Sequence, residues 1–536
     1  MMKKLLVFLF CASIGLTYAQ EEDAWIYLVD KENVAASIAN PISILTQKAI
    51  DRKAAQGIVI DERDVPVNES YIAQLKNASG ITVLAKSKWF NAVHVRGAQN
   101  AIEALKDLAI VSDIEWANKS LNGTRSAEGE VYTNKFEEDN RVVFDYGNTQ
   151  NQVEMLNLHL LHQDDYTGQG ITIAVMDSGF PNVNTLSGFQ RLRDNGNLLD
   201  GYDFVSRDVD VYAFQSSSHG TRVMSCMAGF VQDEYVGTAP DASYYLFRTE
   251  DVFSETPVEE SYWVEAAERA DSLGVDIINT SLGYKGYDNP DHSHANEDLD
   301  GLTTFITRGS TIASEKGILL ITSAGNSSTN GVGAPADAAA VFSIGAVDSE
   351  GNLSSFSSHG SAIQPTIKPD VVARGSASYV IDQTDTITQN NGTSFSSPIT
   401  AGAMACLKQA LSSLSNDQLK QLVRESASQA TSPDFLLGYG IPDFDRAVDE
   451  GLSVVSNQIT EFSLFPNPVD SDLFFVFPGG IDAADLLIFD VSGKNILEAT
   501  VDRLDSKVDL SQLSSGIYFG SIRSDAQALD FKILKK

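Results

Sequence analysis

The chain has 536 residues, a formal net charge of −34, and hydrophobic and aromatic contents of 43% and 9%. That length is more than one hydrophobic core serves, so several folded domains are expected. The strong negative balance argues against nucleic acid as a partner.

The first residues, MMKKLLVFLFCASIGLTYAQ, join two lysines to an apolar run from Leu5 to Leu16 and the small Ala19. This is the pattern of a secretory signal, residues 1–19, cleaved after Ala19. The run is shorter than the ~20 residues a membrane span needs. Residues 20–118 read as a small α+β unit. AWIYLVD and GITVLAKSKWFNAVHVRG have the β-branched, apolar character of strands, and PISILTQKAIDRKAAQG and NAIEALKDLAIVSDI have helical spacing. Residues 119–147 are polar, rich in Gly, Ser, Asn and charge, and read as an exposed linker.

Residues 148–451 change pattern. Short apolar runs (ITIAVMDSG, VDIINTSLG, GILLITSAGN, AVFSIGAVD) alternate with helical segments such as VEESYWVEAAERADSLG. This predicts an α/β domain with a mostly parallel sheet covered by helices on both faces. Its sites would gather where loops leave the carboxyl ends of the strands. Most of the negative charge lies here and is read as solubility. Residues 462–536 are short alternating strands with Asn-Pro, Ser-Gly and Gly-Gly turns, a small β-sandwich. Cys226 and Cys406 stand in helix-like apolar contexts; secretion permits a bridge, and two buried free thiols are the favoured reading. The loop YDNPDHSHANEDLDG, residues 287–301, holds two histidines and five acids. Its spacing matches no metal site, so it is read as solvated polarity.

The stretch NGTSFSSPIT precedes an apolar helix. Serines there can simply cap the helix. They can also carry a reaction through a negative intermediate, because the helix start is electropositive. Three other positions favour chemistry. Asp177 ends the strand IAVMDSG, His219 begins the helix in SSSHGTRVMSCMAG, and Asn326 ends the strand in LLITSAGNSS with its amide free to donate. An acyl-transfer serine needs a base, an orienter for that base and donors for the oxyanion.

These segments together, DSG at 177–179, HGT at 219–221, AGN at 324–326 and GTSFSSP at 392–398, resemble the subtilisin-like serine proteases in type and chain order. The resemblance implies that Asp177 orients His219, that His219 takes the proton of Ser394, and that Ser394 attacks the scissile carbonyl. The Asn326 amide and the Ser394 N–H would hold the oxyanion. It also implies that Ser281, Leu282 and Gly283, with Ser323, Ala324 and Gly325, flank the first specificity pocket. Gly333 would stand at its base and Pro335 is a candidate cis-proline. No acid stands at that base, so either an uncharged, apolar substrate residue or a roomy pocket of broad tolerance is expected. Two departures stand out: Arg222 replaces the family's second histidine, and Phe395-Ser396 replaces the usual Met-Ala. Pro398 is expected in the first turn of its helix, where a missing N–H costs nothing.

The flanks fit. Residues 20–118 resemble the family's propeptide, an inhibitor and folding aid to be cut off within the linker. The tail, with LFPNPVDSDL, DVSGK and LSSGIY, resembles the type IX secretion sorting domain, which implies a Bacteroidota source and export to the medium or surface. The partners expected are peptide or protein substrates, the chain's own propeptide and the type IX machinery, not nucleic acid. No cofactor is required for the chemistry and no metal site is assigned; structural calcium stays open. A non-catalytic adhesion or peptide-binding protein on a protease scaffold is the alternative.

Overall fold

The structure, a computed structural model, describes residues 21–122, 144–458, 462–478, 481–503, 506–524 and 527–536. The signal segment and most of the linker lie outside the described residues.

The N-terminal unit is an antiparallel sheet of β1 (Glu21–Leu28), β2 (Ile81–Ser87), β3 (Ala92–Ala98) and β4 (Val111–Trp116) in the order β2-β3-β1-β4. Helices Gln47–Ala55 and Glu69–Lys76 belong to it. The segment expected as one helix, NAIEALKDLAIVSDI, divides. Helix ends at Asp107, and its last residues become β4, because Ile114 and Trp116 alternate with polar neighbours and pair with β1.

The central unit is built on a sheet of seven strands. These are β5 (Thr172–Asp177), β6 (Leu198–Asp203), β9 (Ser243–Arg248), β10 (Ile277–Thr280), β11 (Leu319–Ser323), β12 (Phe342–Val347) and β13 (Val371–Arg374); β7 (Phe230–Val231) and β8 (Tyr235–Val236) form a separate hairpin. The order is β13-β12-β11-β10-β5-β9-β6, and every pairing is parallel. Strand β5 shows why both faces are covered. Ile173 and Val175 enter one core, with the helices His219–Ala228 and Thr393–Ala410. Ala174 and Met176 enter the other, with the helices Val258–Leu273 and Phe305–Glu315. A period of two thus feeds two layers. The chain enters at β5, builds β6 and β9 on one side, then crosses to β10 on the other. The carboxyl rim between β5 and β10 is therefore a topological switch point, where α/β sheets bind ligands.

The N-terminal sheet lies on the outer face of the Val258–Leu273 and Phe305–Glu315 helices. Trp25 stacks on Phe305 at 4.5 Å between ring centroids. Its indole N–H donates to Ser261 at 2.8 Å. Glu268 accepts from Ser87 Oγ (2.5 Å), Lys88 N (2.9 Å) and Trp89 N (2.9 Å). Burial pushes Glu268 up to about 7, although Lys88 and these donors favour its charge. Asp271 pairs with Lys53 at 2.8 Å, and Lys316 with Asp64 at 2.8 Å. Gly274 ends the Val258–Leu273 helix at φ 81°, and a Cβ there would meet Ala49 N at 2.7 Å, so only glycine lets the two units close at this point.

The loop 287–301 corrects the sequence reading. His292 and His294 are buried, not solvated. His292 Nε2 lies 2.9 Å from Glu22 Oε2 of β1, and His294 Nε2 lies 2.7 Å from Glu260 Oε1. The two histidines thus face carboxylates of neighbouring elements, while Asp288, Asp291, Asn296 and Glu297 of the loop are exposed. Cys226 and Cys406 are free and buried. The C-terminal unit pairs a three-stranded antiparallel sheet with a four-stranded one around its own core, the expected sandwich. Among the described residues no helix is long and apolar enough to cross a membrane.

Candidate active site

Asp177 is the last residue of β5 and is fully buried. Its Oδ1 accepts from Ser178 N at 2.7 Å and lies 2.8 Å from Nδ1 of His219, the first residue of its helix. The imidazole is about one-third exposed, so one edge is fixed and the other faces the rim. Burial opposes its protonation, but the Asp177 charge and hydrogen bond outweigh burial, Glu250 adds to them, and His219 is held above its ordinary value. Arg222, the departure noted in the sequence, works against this without reversing it; its guanidinium reaches Asn390 Oδ1 at 3.4 Å.

Ser394 is the second residue of the Thr393–Ala410 helix and is buried. Its hydroxyl donates to the Ser281 carbonyl at 3.2 Å rather than to the imidazole. The next residue, Phe395, is buried in the core, with its ring centroid 5.8 Å from that of His219. Catalytic hydrogen bonds are often unformed before substrate binds. Asn326 follows β11. Its Oδ1 accepts from Thr393 N (2.9 Å) and Thr393 Oγ1 (3.0 Å). These bonds decide the amide's orientation and leave Nδ2 as a donor on the Gly392 side, where a Cβ on that glycine would be 3.6 Å away. Thr393 was not singled out from sequence, although it lies inside the GTS motif that carried Ser394.

The segments expected to hold substrate come together. Tyr284 and Ala334 exchange backbone hydrogen bonds of 2.8 and 3.0 Å, joining the strand that continues β10 through Ser281, Leu282 and Gly283 to the stretch containing Gly333. Ser323 closes β11, Ala324 N donates to Ile344 O at 2.9 Å, and Gly325 N donates to Thr393 Oγ1 at 3.2 Å. The Ala334–Pro335 peptide is cis. Two further groups were not foreseen. Glu250, just beyond β9, accepts from Tyr284 OH at 3.0 Å and is pushed up to about 8 by burial and the nearby Glu255. Asn279, the buried neighbour of Ser281 on β10, is the other. Among the described residues no cluster of three or more His, Cys, Asp or Glu side chains has the geometry to hold a metal ion.

A parallel α/β sheet with an aspartate, a histidine and a serine gathered at its switch point defines the class, an α/β serine hydrolase. Comparison with known proteins narrows it. Residues 168–440 match the Subtilase family, peptidase S8; residues 23–134 match the Peptidase S8 propeptide domain of Bacteroidota; residues 463–536 match the Secretion system C-terminal sorting domain. Subtilisin E of Bacillus subtilis (strain 168) is 30% identical over 300 residues, 55% of this chain and 70% of that protein. Subtilisin DY of Bacillus licheniformis is 28% identical over 300 residues, 55% of this chain and 97% of that protein. A solved structure of MycP1, with its N-terminal propeptide removed, aligns with a TM-score of 0.45 and 21% identity over 56% of this chain and 96% of that one. The chain belongs to the subtilase family. It is a subtilisin-like serine peptidase with its own propeptide, and its sorting tail marks it for export to the medium or the cell surface.

Proposed function

We propose that the chain is an endopeptidase made as a zymogen, in which Ser394 attacks the scissile carbonyl and forms an acyl-enzyme that water then hydrolyses. His219 takes the Ser394 proton and returns it to the leaving amine; Asp177 fixes the imidazole and stabilises its charged form. The Asn326 amide and the Ser394 N–H hold the oxyanion. The observation that carries this reading is the 2.8 Å Asp177–His219 bond on the same rim as an Asn326 amide turned outward by Thr393. The segments Ser281–Gly283 and Ser323–Gly325, with Gly333 between them, form a pocket for an uncharged, apolar side chain before the cleaved bond. The domain limits we propose are 20–118 for the propeptide, 119–147 for the linker where it is cut, 148–451 for the catalytic domain and 462–536 for the tail. We assign no cofactor to the chemistry and at most a structural role to calcium, so EDTA should leave kcat at low temperature in place.

A fluorophosphonate probe tests the reading. It should label Ser394 in the processed protein. Ser394→Ala should abolish labelling, lose about a millionfold in kcat, on a scale borrowed from subtilisin in this same family, and accumulate chain that retains residues 20–118. Asn326→Ala should cost about a hundred- to a thousandfold in kcat, with KM little changed. A processed protein that binds peptides yet takes no label would favour the adhesion reading. Normal processing of Ser394→Ala would remove self-maturation while leaving hydrolysis of other substrates standing.

A further inference from the structure

Proline has no N–H to give. The sequence placed Pro398 in the first turn of its helix, but the helix begins at Thr393 and Pro398 is its sixth residue. The carbonyl four residues earlier therefore loses its helical partner. That carbonyl belongs to Ser394.

Ser281 supplies what Pro398 removes. Its hydroxyl donates to Ser394 O at 3.0 Å, while the Ser394 hydroxyl donates to Ser281 O at 3.2 Å. The Ser281 hydroxyl has little freedom to do otherwise. Its oxygen accepts from Asn279 Nδ2 at 3.3 Å, and Asn279 Oδ1 accepts from Ser397 Oγ at 3.0 Å. Asn279 and Ser397 are fully buried, and Ser281 and Ser394 nearly so. A buried carbonyl without a donor is costly, so the relay Ser397–Asn279–Ser281–Ser394 is held together by what would be lost if any link failed.

We infer that Ser281 is a positioning residue for the nucleophile: its hydroxyl replaces the helix bond that Pro398 removes, and so fixes Ser394 against the segment on which substrate lies. The inference rests on the proposed role of Ser394 as nucleophile. An unbroken helix would hold the Ser394 carbonyl along its own axis. With Pro398 present, that carbonyl is turned to Ser281, just beyond β10, and the register of nucleophile and substrate strand is set by one side chain.

A double-mutant cycle tests this. Ser281→Ala, Pro398→Ala and the double variant are made in the full chain, and kcat and KM are measured on one peptide substrate after maturation. Ser281→Ala should lower kcat about tenfold, with KM changed less than about threefold. In the Pro398→Ala background the same change should cost less than about threefold, because the new N–H at 398 takes the Ser394 carbonyl. An equal loss in both backgrounds overturns the inference. Variants that fail to mature are read another way. In the Ser394→Ala chain the residue-394 carbonyl is intact, so the unfolding temperature should fall with Ser281→Ala when Pro398 is present and hold when it is Ala. Equal falls overturn the inference. Absence of probe labelling at Ser394 in the unmutated enzyme would instead strike the proposed function, and the unfolding cycle would still report the bond.

Discussion

The Thr393–Ala410 helix and the seam between the propeptide and the Val258–Leu273 helix are both buried, and they differ in polar content: the seam sets buried ion pairs and carboxylates beside its apolar contacts. Every residue of the first except Gln409 is buried, and most are apolar or small. The second joins Glu268, Asp271 and Lys316 to backbone amides, lysines and aspartates of the propeptide. Apolar packing is non-directional and blind to acid and salt. Buried carboxylates are directional and titrate. The difference teaches which contact is permanent. The helix carries Ser394 and has no reason to leave; in the proposed zymogen the propeptide comes away, and its contacts answer to the solution around them.

The comparison can be broken hardest at the helix. Gly402 faces Thr238 so closely that a Cβ would stand 2.0 Å from Thr238 Oγ1 and 3.1 Å from the backbone N of Ala239. Gly402→Ala should cost about 3 kcal/mol of stability through overpacking, read by thermal unfolding in the inactive Ser394→Ala chain at any pH.

An effect of similar size sharpens the contrast at the seam. In the complex Glu268 is held up to about 7, above its ordinary 4.5. A raised carboxyl favours the bound state at low pH, so this contribution is full below about 4.5 and is lost as pH rises to about 7. Propeptide affinity should fall across that window by up to about tenfold per pH unit, and Glu268→Gln should flatten the slope. Titration calorimetry of separated propeptide and mature enzyme measures it; identical slopes for the two enzymes would remove Glu268 from the account.

The smallest effect is salt. Arg63–Glu315 and Arg308–Glu115 cross the seam with all four side chains a quarter or more exposed. Raising ionic strength to about 0.5 M should weaken propeptide binding by a few-fold at most, while the unfolding temperature of the mature domain holds.

The sequence made the rim legible because Asp177 and Asn326 stand where apolar strand runs stop, and His219 and Ser394 stand where helices begin. Four of the seven strands, β5, β10, β11 and β12, could be read as short runs buried on both faces; β6 and β9, only partly buried, lack that mark. What escaped depends on neighbours far along the chain. His292 and His294 look solvated beside their acids, and only β1 and Glu260 show them buried. The residues of β4 have enough helical spacing to pass for the end of a helix until β1 pairs with them. Pro398 was misplaced by one turn, and its partner Ser281, over a hundred residues away, has no local mark as a donor to a helix carbonyl. Glu250 was passed over because its burial, and so its chemistry, comes from Tyr284 and Glu255.

Strand β5 opens the central unit yet finishes in the middle of the sheet, between β9 and β10. Its partners arrive only after long stretches of chain, and parallel pairing of such reach is slow to nucleate. The N-terminal sheet precedes it in synthesis and closes largely on its own antiparallel pairs. Its Trp25, Ala85 and Trp89 share a buried cluster with the Val258–Leu273 and Phe305–Glu315 helices, so contact with this unit offsets part of the loop-closure cost of bringing the central strands together.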